Sequence, residues 1–428
     1  MPQMPVLRLK SVYSIAVSCL LLLLCSCSKS TSETSVDQEK LERAVAAAER
    51  AEVSAKKAQV DAKNALVTVE ELKQYAIRAE ASLKNEIKAI QSADAISLDL
   101  SQSNDLLSLE LLANYPKLQR LNIAKCERLK NLNGLAQVPL LTSLDLSECR
   151  QLSDITGLAS AKNLKTLILR NCSQLVTLKG IEGLEKLEVL DLESCNKLRD
   201  ISALKSCSSL KTLNLKYCFD FGDIGPLAGV NNLRELHLPH CRGILDISAL
   251  KGMFNLQLLD ITGCSKIVDL SPLAGLKSLG TLKLSRCSKV QNLAILSNLD
   301  QLKILEIGGH EDSANLKFLV SLSNLESLSV ATMSSVKDIV ILGKLTNLRY
   351  LNLSHLSELK DISPISKLSA LESLRIFRCD QLTGIQPVKT LSKLRELIVM
   401  TRNKAILNSR EKLKRELPNA QIVIDSRP

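Results

Sequence analysis

Nine cysteines of this sequence stand in one register. Cys126, Cys149, Cys172, Cys195, Cys218, Cys241, Cys264 and Cys287 follow one another every 23 residues, and Cys379 keeps the same phase. Thiols in such number can bridge, hold zinc, attack a substrate or pack. Stacked side chains that run parallel sit about 4.8 Å apart, whereas the Cβ atoms of a disulfide come to ~3.8 Å. Zinc requires a converging tetrahedral set, and the column contains no CxxC pair. The column therefore reads as small buried groups with weak S–H donors. Cys207 falls in a second inward column with Ala161, Leu184, Val230, Met253 and Leu276, and it too reads as core.

The histidines offer little more. His237 and His240 share the stretch HLPH near Asp260. Three residues apart on a strand, their side chains would point to opposite faces, which disfavours a shared metal. No Ser/His/Asp set, GxxxxGK loop, HExxH pair or cysteine-nucleophile context is found. The expectation is a non-enzyme without cofactor or metal. Aromatic residues make up 2% of the chain and Trp is absent, so the core must consist of regular aliphatic pieces. The formal net charge is +11, spread along the chain rather than gathered in a basic stripe with interleaved rings. Nucleic acid is not expected as a partner.

The first residues carry a different thiol chemistry. Arg8 and Lys10 precede an uncharged, mostly apolar run over 11–24, followed by Leu24-Cys25-Ser26-Cys27. A run of about 14 residues is too short to span a bilayer and fits the apolar region of a secretory signal. An ordinary cleaved signal and a short membrane anchor are the plainer readings. Leu24 and small Ser26 before Cys27 resemble the lipobox of bacterial lipoproteins. The resemblance implies lipidation of Cys27 and attachment to a membrane; Cys25 would require cleavage after bulky Leu24. Ser28, rather than Asp, follows the cysteine, which in such lipoproteins implies the outer membrane of a bacterial envelope.

From 29 to 115 the chain has neither Gly nor Pro. Leu41, Ala44, Ala48, Ala51, Ala55 and Ala58 begin a seam at alternating steps of three and four that runs on to Leu83 and, past Glu86, to Ile90. This predicts a heptad-patterned helix over 41–90. Alanine buries little area, so either several copies pack closely into a homo-oligomer or the helix stays single or folds against the next domain. The segment resembles the alanine-rich coils of murein-lipoprotein-type stalks in composition and heptad.

Beyond it, a pattern LxxLxLxxC begins at Leu118 and recurs every 23 residues to Leu394, with a further copy at Ala95. A fixed period of this size marks a solenoid. The alternating LxL predicts one short strand per repeat, with its leucines inward. The second half carries apolar residues every third position, with Asp154, Asp200, Asp223, Asp246, Asp269, Asp338 and Asp361 placed to cap a 3₁₀-like turn, and Pro226, Pro272, Pro364 and Pro387 just inside it. The motif resembles bacterial leucine-rich repeats of the internalin-like kind, with Cys where that family usually has Asn. The implied fold class is an α/β solenoid, a leucine-rich-repeat horseshoe with a parallel sheet on its concave face, preceded by a long helix. The domains are 1–27, a signal peptide with lipobox; 29–92, a stalk; and 93–428, the repeat domain, closed by the helix-plus-strand pattern of SREKLKRELPNAQIVID.

The outward strand positions of such a sheet are the usual binding surface. They run Asp99, Asn122, Asp145, Ile168, Asp191, Asn214, His237, Asp260, Lys283, Glu306, Ser329, Asn352, Arg375, Ile398. Two candidate clusters stand out: Lys216, Tyr217, His237, His240 and Asp260, and Tyr350, Arg375, Phe377 and Arg378. The second suits an anionic or peptide partner. His310 and Met333 break the cysteine column, and Leu356 follows them, which marks either tolerated drift or a local opening at a binding site. The expected function is membrane-anchored recognition of a protein or peptide on the concave face; the alternative is an envelope scaffold acting through the coiled-coil stalk.

Overall fold

The computed structural model describes Ala46, Arg50, 95–310 and 315–426. Cys27, the signal segment and almost all of the 29–92 stalk lie outside the described residues. So does 311–314, which follows His310. Two compact units divide at 164/165, inside the repeat array.

The 23-residue period becomes one strand per turn. The first unit has β1 (Ser97–Asp99), β2 (Arg120–Asn122) and β3 (Ser143–Asp145), paired in parallel with Leu98 opposite Leu121 and Leu121 opposite Leu144. The second has β4 (Thr166–Ile168), β5 (Val189–Asp191), β6 (Thr212–Asn214), β7 (Glu235–His237), β8 (Leu258–Asp260), β9 (Thr281–Lys283), β10 (Ile304–Glu306), β11 (Ser327–Ser329), β12 (Tyr350–Asn352), β13 (Ser373–Phe377), β14 (Glu396–Met400) and β15 (Gln421–Asp425). Each of these pairs in parallel with the next. Strands of three residues are held because the central leucine is sealed: Leu190, Leu213, Leu236 and Leu259 are fully buried. Each such leucine contributes roughly 1.5–3 kcal/mol.

Opposite the strands the chain makes 3₁₀ turns, such as Ser202–Ser206 and Ser271–Leu273. The recurring aspartates start them, one residue earlier than a cap in the strict sense. Ile201 occupies the N-cap of the first of these turns and Leu270 that of the second, while Asp200 and Asp269 accept the backbone N–H of Ser202 and Ser271 at 2.8 Å. Serine hydroxyls donate to Asp246, Asp269 and Asp361 as well, and these bonds hold the three carboxyls below the usual carboxylate range. Pro226 and Pro364 lie in the first turn of their 3₁₀ segments, where no N–H is required. The repeat from Leu164 lacks the aspartate, and no 3₁₀ segment forms between β4 and β5.

Two junctions recur where each strand ends. Immediately before the cysteine column, one residue per turn is left-handed: Tyr217 (φ 61°), His240 (φ 65°), Gly263 (φ 73°) and Arg286 (φ 60°) are successive examples. Its N–H reaches the carbonyl one strand on: Tyr217 to Pro239 at 2.9 Å, His240 to Thr262 at 2.7 Å and Arg286 to Gly308 at 2.7 Å. This bond prolongs the ladder past the strand and compensates a conformation that costs a non-glycine residue roughly 1 kcal/mol or more. Next, the buried cysteine thiol donates backwards. Cys241 reaches the carbonyl of Leu215 at 3.1 Å, Cys264 that of Leu238 at 3.2 Å, Cys287 that of Ile261 at 3.1 Å and Cys379 that of Leu353 at 3.0 Å.

The ten described cysteines, Cys207 among them, are all buried and form no disulfide with one another. Burial pushes Cys149 and Cys379 up to about 11 and Cys218 and Cys287 up to about 12; Cys264 is also raised, by burial and by the thiols of Cys241 and Cys287.

The departures in the column are packed as tightly as the rule. His310, Met333 and Leu356 have no exposed surface, so no opening exists at these side chains. His310 Nε2 lies 3.1 Å from the carbonyl of Leu284, the acceptor a cysteine would have used, and so carries the proton; Nδ1 is buried without a hydrogen bond. Gly308 is forced, because a Cβ there would fall on the carbonyl oxygen of Ala331. After β14, Asn403 caps α1 (Lys404–Asn408) by accepting from the N–H of Ala405 at 2.9 Å. α2 (Arg410–Glu416) buries Leu413, and β15 completes the sheet of this unit as the sequence pattern anticipates.

Two outcomes are expected. At pH 8 a soluble thiol reagent leaves the ten repeat cysteines unlabelled in the native chain and labels all of them in denaturant, as read by peptide mass mapping; native labelling of Cys241 or Cys264 contradicts the buried column. Burial also lowers the pKa of His310. The unfolded chain therefore takes up its proton first, near pH 6.5, and stability falls as pH drops below that value towards the lower folded pKa. His310→Cys should remove this part of the pH dependence in denaturant melts between pH 7.5 and 5; an unchanged slope contradicts it.

Candidate functional site

The candidate residues divide by what holds them. On the strand face, the Asp and Asn column is backbone chemistry. Asp145 accepts the N–H of Ser147 at 2.8 Å, Asn214 that of Lys216 at 3.0 Å, Asp260 that of Thr262 at 3.0 Å and Asn352 that of Ser354 at 3.0 Å. These side chains close the strand end and satisfy a donor that would otherwise go unpaired. Asp191 does the same for Glu193 and is only 7% exposed, receiving Arg170 Nε at 2.7 Å and Asn214 Nδ2 at 3.0 Å. Asp260 thus has a structural duty the sequence reading did not assign. The strand-face positions without Asp or Asn include His237, Lys283, Glu306, Ser329 and Arg375.

The first cluster separates accordingly. His237 and Asp260 are register partners on β7 and β8, but His237 Nε2 turns to Glu235 at 3.5 Å. β7 ends at His237, so strand alternation does not govern His240, which sits in the left-handed turn. There its ring stacks on Tyr217, with centroids 5.2 Å apart and planes at 14°. The reason is the period: two rings in the same column of successive turns are spaced by about one strand separation, close to stacking distance. Lys216 Nζ lies 5.0 Å from the Tyr217 centroid. Gly263 leaves room for the stack, since a Cβ there would come within 2.6 Å of His240 Nδ1. Two members are new. Phe219 packs at 6.0 Å from Tyr217, and the guanidinium of Arg242 lies 5.6 Å over the Phe219 ring. Phe219 and Arg242 are 23 residues apart, as Tyr217 and His240 are, and that spacing was the available signal.

In the second cluster the guanidinium of Arg375 lies 5.6 Å from the Tyr350 ring and 3.5 Å from Glu396, which also accepts from Ser373 at 2.6 Å. Arg375 Nε is buried without a partner. Phe377, half-buried, ends β13 in register with Met400. Arg378 follows in the left-handed turn, exposed, its N–H donating to the carbonyl of Met400 at 2.7 Å. Tyr350 and Arg375 therefore form one contact, and Phe377 and Arg378 continue along the same strand. Near them, Asp380 accepts the N–H of Arg402 and the hydroxyl of Thr401, both at 3.0 Å, and the first of these bonds leads in holding its carboxyl low.

Other charges cancel locally. Lys283 meets Glu306 at 2.9 Å, and Arg349 meets Glu372 at 2.7 Å. Among the described residues no group of three or more His, Cys, Asp or Glu is placed to hold a metal ion, and no helix is long and apolar enough to cross a membrane. The surface offers shallow polar hollows, one lined by Glu188, Lys211 and Arg234. The arrangement suits contact with an extended partner better than enclosure of a small molecule.

Comparison with known proteins agrees with the repeat architecture. Residues 162–206 match the family described as Leucine Rich repeats (2 copies). No curated protein matches the chain. Among solved structures, an internalin (inlF) from Listeria monocytogenes is similar at 22% identity over 82% of this chain and 93% of its own, with a TM-score of 0.56. A leucine-rich-repeat protein of Leptospira interrogans is similar at 18% identity over 78% of this chain and 96% of its own, with a TM-score of 0.54. A TLR13–ssRNA13 complex is similar at 21% identity over 81% of this chain and 55% of its own, with a TM-score of 0.55. The chain carries leucine-rich repeats and folds as a leucine-rich-repeat solenoid.

Proposed function

We propose that this chain is a tethered recognition module whose strand face binds a protein or peptide, with acylated Cys27 fixing it in a bacterial envelope, at the outer membrane, and 29–92 projecting it. The observation that carries the reading is the Tyr350–Arg375 pair. A ring and a guanidinium are held together on the strand face, with Glu396 orienting the cation. Tyr and Arg are the side chains that dominate binding energy at protein interfaces, and a pair already held in place loses less freedom on binding. The alternating charges of Lys283, Glu306, Arg349 and Glu372 favour a polypeptide over a polyanion such as nucleic acid.

The test is capture of envelope proteins by the full chain, with and without Arg375→Glu and Arg378→Glu together. A specific partner that the double variant loses at least about ten-fold supports the reading, a loss of the size expected for one interface hot spot. Deleting 29–92 should leave that capture intact. Capture that depends on 29–92 and ignores both arginines favours the scaffold reading instead.

A further inference from the structure

The turn edge that follows β6 and β7 is unlike the rest of the described surface. Tyr217 stacks on His240, Phe219 tilts against Tyr217, Lys216 lies over the Tyr217 ring and Arg242 over the Phe219 ring. Phe219 is 42% exposed, and Leu245, three residues past Arg242, is 65% exposed. The chain has five Phe, five Tyr and no Trp, so Tyr217 beside exposed Phe219 in one turn, with His240 stacked from the next, concentrates side chains that are scarce here.

Two cations of this edge, Lys216 and Arg242, stand outside the ion pairs around them. Around this edge, in the same turn and others, Arg170 is paired with Asp191, Arg199 with Asp220, Lys211 with Glu188 and Lys283 with Glu306. Among the described residues, no carboxylate lies within 4.0 Å of the side-chain nitrogens of Lys216 or Arg242. The edge is also closely packed. A Cβ on Gly243 would come within 2.5 Å of the carbonyl oxygen of Phe221, and one on Gly222 within 2.8 Å of that of Gly243. Two glycines thus press together the backbones that carry Phe219 and Arg242. The left-handed backbone of Tyr217 and His240 is fixed by bonds to Pro239 and Thr262.

We propose that this edge is a docking site for an acidic peptide segment that carries an aromatic side chain. Its carboxylates meet Lys216 and Arg242, the two cations of this edge without an ion-pair partner, and its ring lies against Phe219 and Leu245. The site is distinct from Arg375 and Tyr350, and it names a partner chemistry within the recognition reading, on which it rests. Cations above rings are held more strongly once water is excluded, so a bound apolar group strengthens the same contacts that attract the acid.

The experiment uses the full chain in detergent and a fluorescein-labelled peptide of alternating Glu and Phe, with Lys–Phe and Glu–Ala peptides as comparators, read by anisotropy. Saturable binding of the Glu–Phe peptide is expected, weaker by about ten-fold or more for either comparator, and by a similar factor in Phe219→Ala and in Arg242→Glu. Circular dichroism and native thiol protection establish that each variant is folded. Equal binding of all three peptides, no saturable binding, or binding that both variants retain within two-fold overturns the proposal. Arg375→Glu with Arg378→Glu separates the two ideas. If that variant alone abolishes capture of an envelope partner while the peptide fails to bind, the recognition reading stands and this site falls; peptide binding that survives it upholds this site.

Discussion

The repeat array is organised around one recurring corner: a carbonyl buried at the bend takes a side-chain donor from the turn that follows where that turn carries Cys or His310, while Met333 and Leu356 fill the same corner by packing alone. Leu238 illustrates it. Its oxygen accepts the N–H of Cys241 at 3.1 Å within its own turn and the thiol of Cys264 at 3.2 Å from the next. Buried acceptors left bare are costly, and a thiol is a small group that both fills the corner and donates. His310 shows that the donor need not be sulfur, since its imidazole N–H serves Leu284 in the same way. The thiol column is therefore a packing device whose chemistry has been suppressed by burial, in keeping with the raised pKa of Cys218 and Cys287.

Most of the architecture was legible because every turn repeats the same demands. The leucine positions gave the strands, the aspartates and prolines gave the 3₁₀ turns, and the tail gave the closing helix and strand. What escaped was duty at the strand end. Asp99, Asp145 and Asp260 look like outward charges when side chains are counted by alternation, yet each accepts an N–H two residues on. The left-handed turn was equally hidden. Lys125, Asn171, Ser194, Tyr217 and His240 share that conformation without sharing any chemistry, because the bond from each N–H to the next turn sets it. Residue type carries no trace of such a constraint; only the period does.

The same regularity explains why the two candidate clusters differ. Tyr350 and Arg375 face outward from strands, two columns of a sheet brought side by side. Tyr217 and His240 stand beyond the strands, where the turn aims consecutive side chains along one edge. A pair of rings placed one period apart is stacked by the backbone with no need for a pocket. Surface chemistry on this scaffold is thus written in columns, and residues far apart in the chain become neighbours by arithmetic.

The unbroken spacing from Leu118 to Leu394 has one further consequence. A single extra residue within any coil would shift the phase of all that follows, setting aliphatic groups against water and stranding the thiols away from their acceptors. Growth or shrinkage of such a chain is therefore quantised: it proceeds by whole coils, gained or lost entire. Each coil so copied would bring its outward side chains with it, so a longer descendant would inherit doubled rings and charges in tandem.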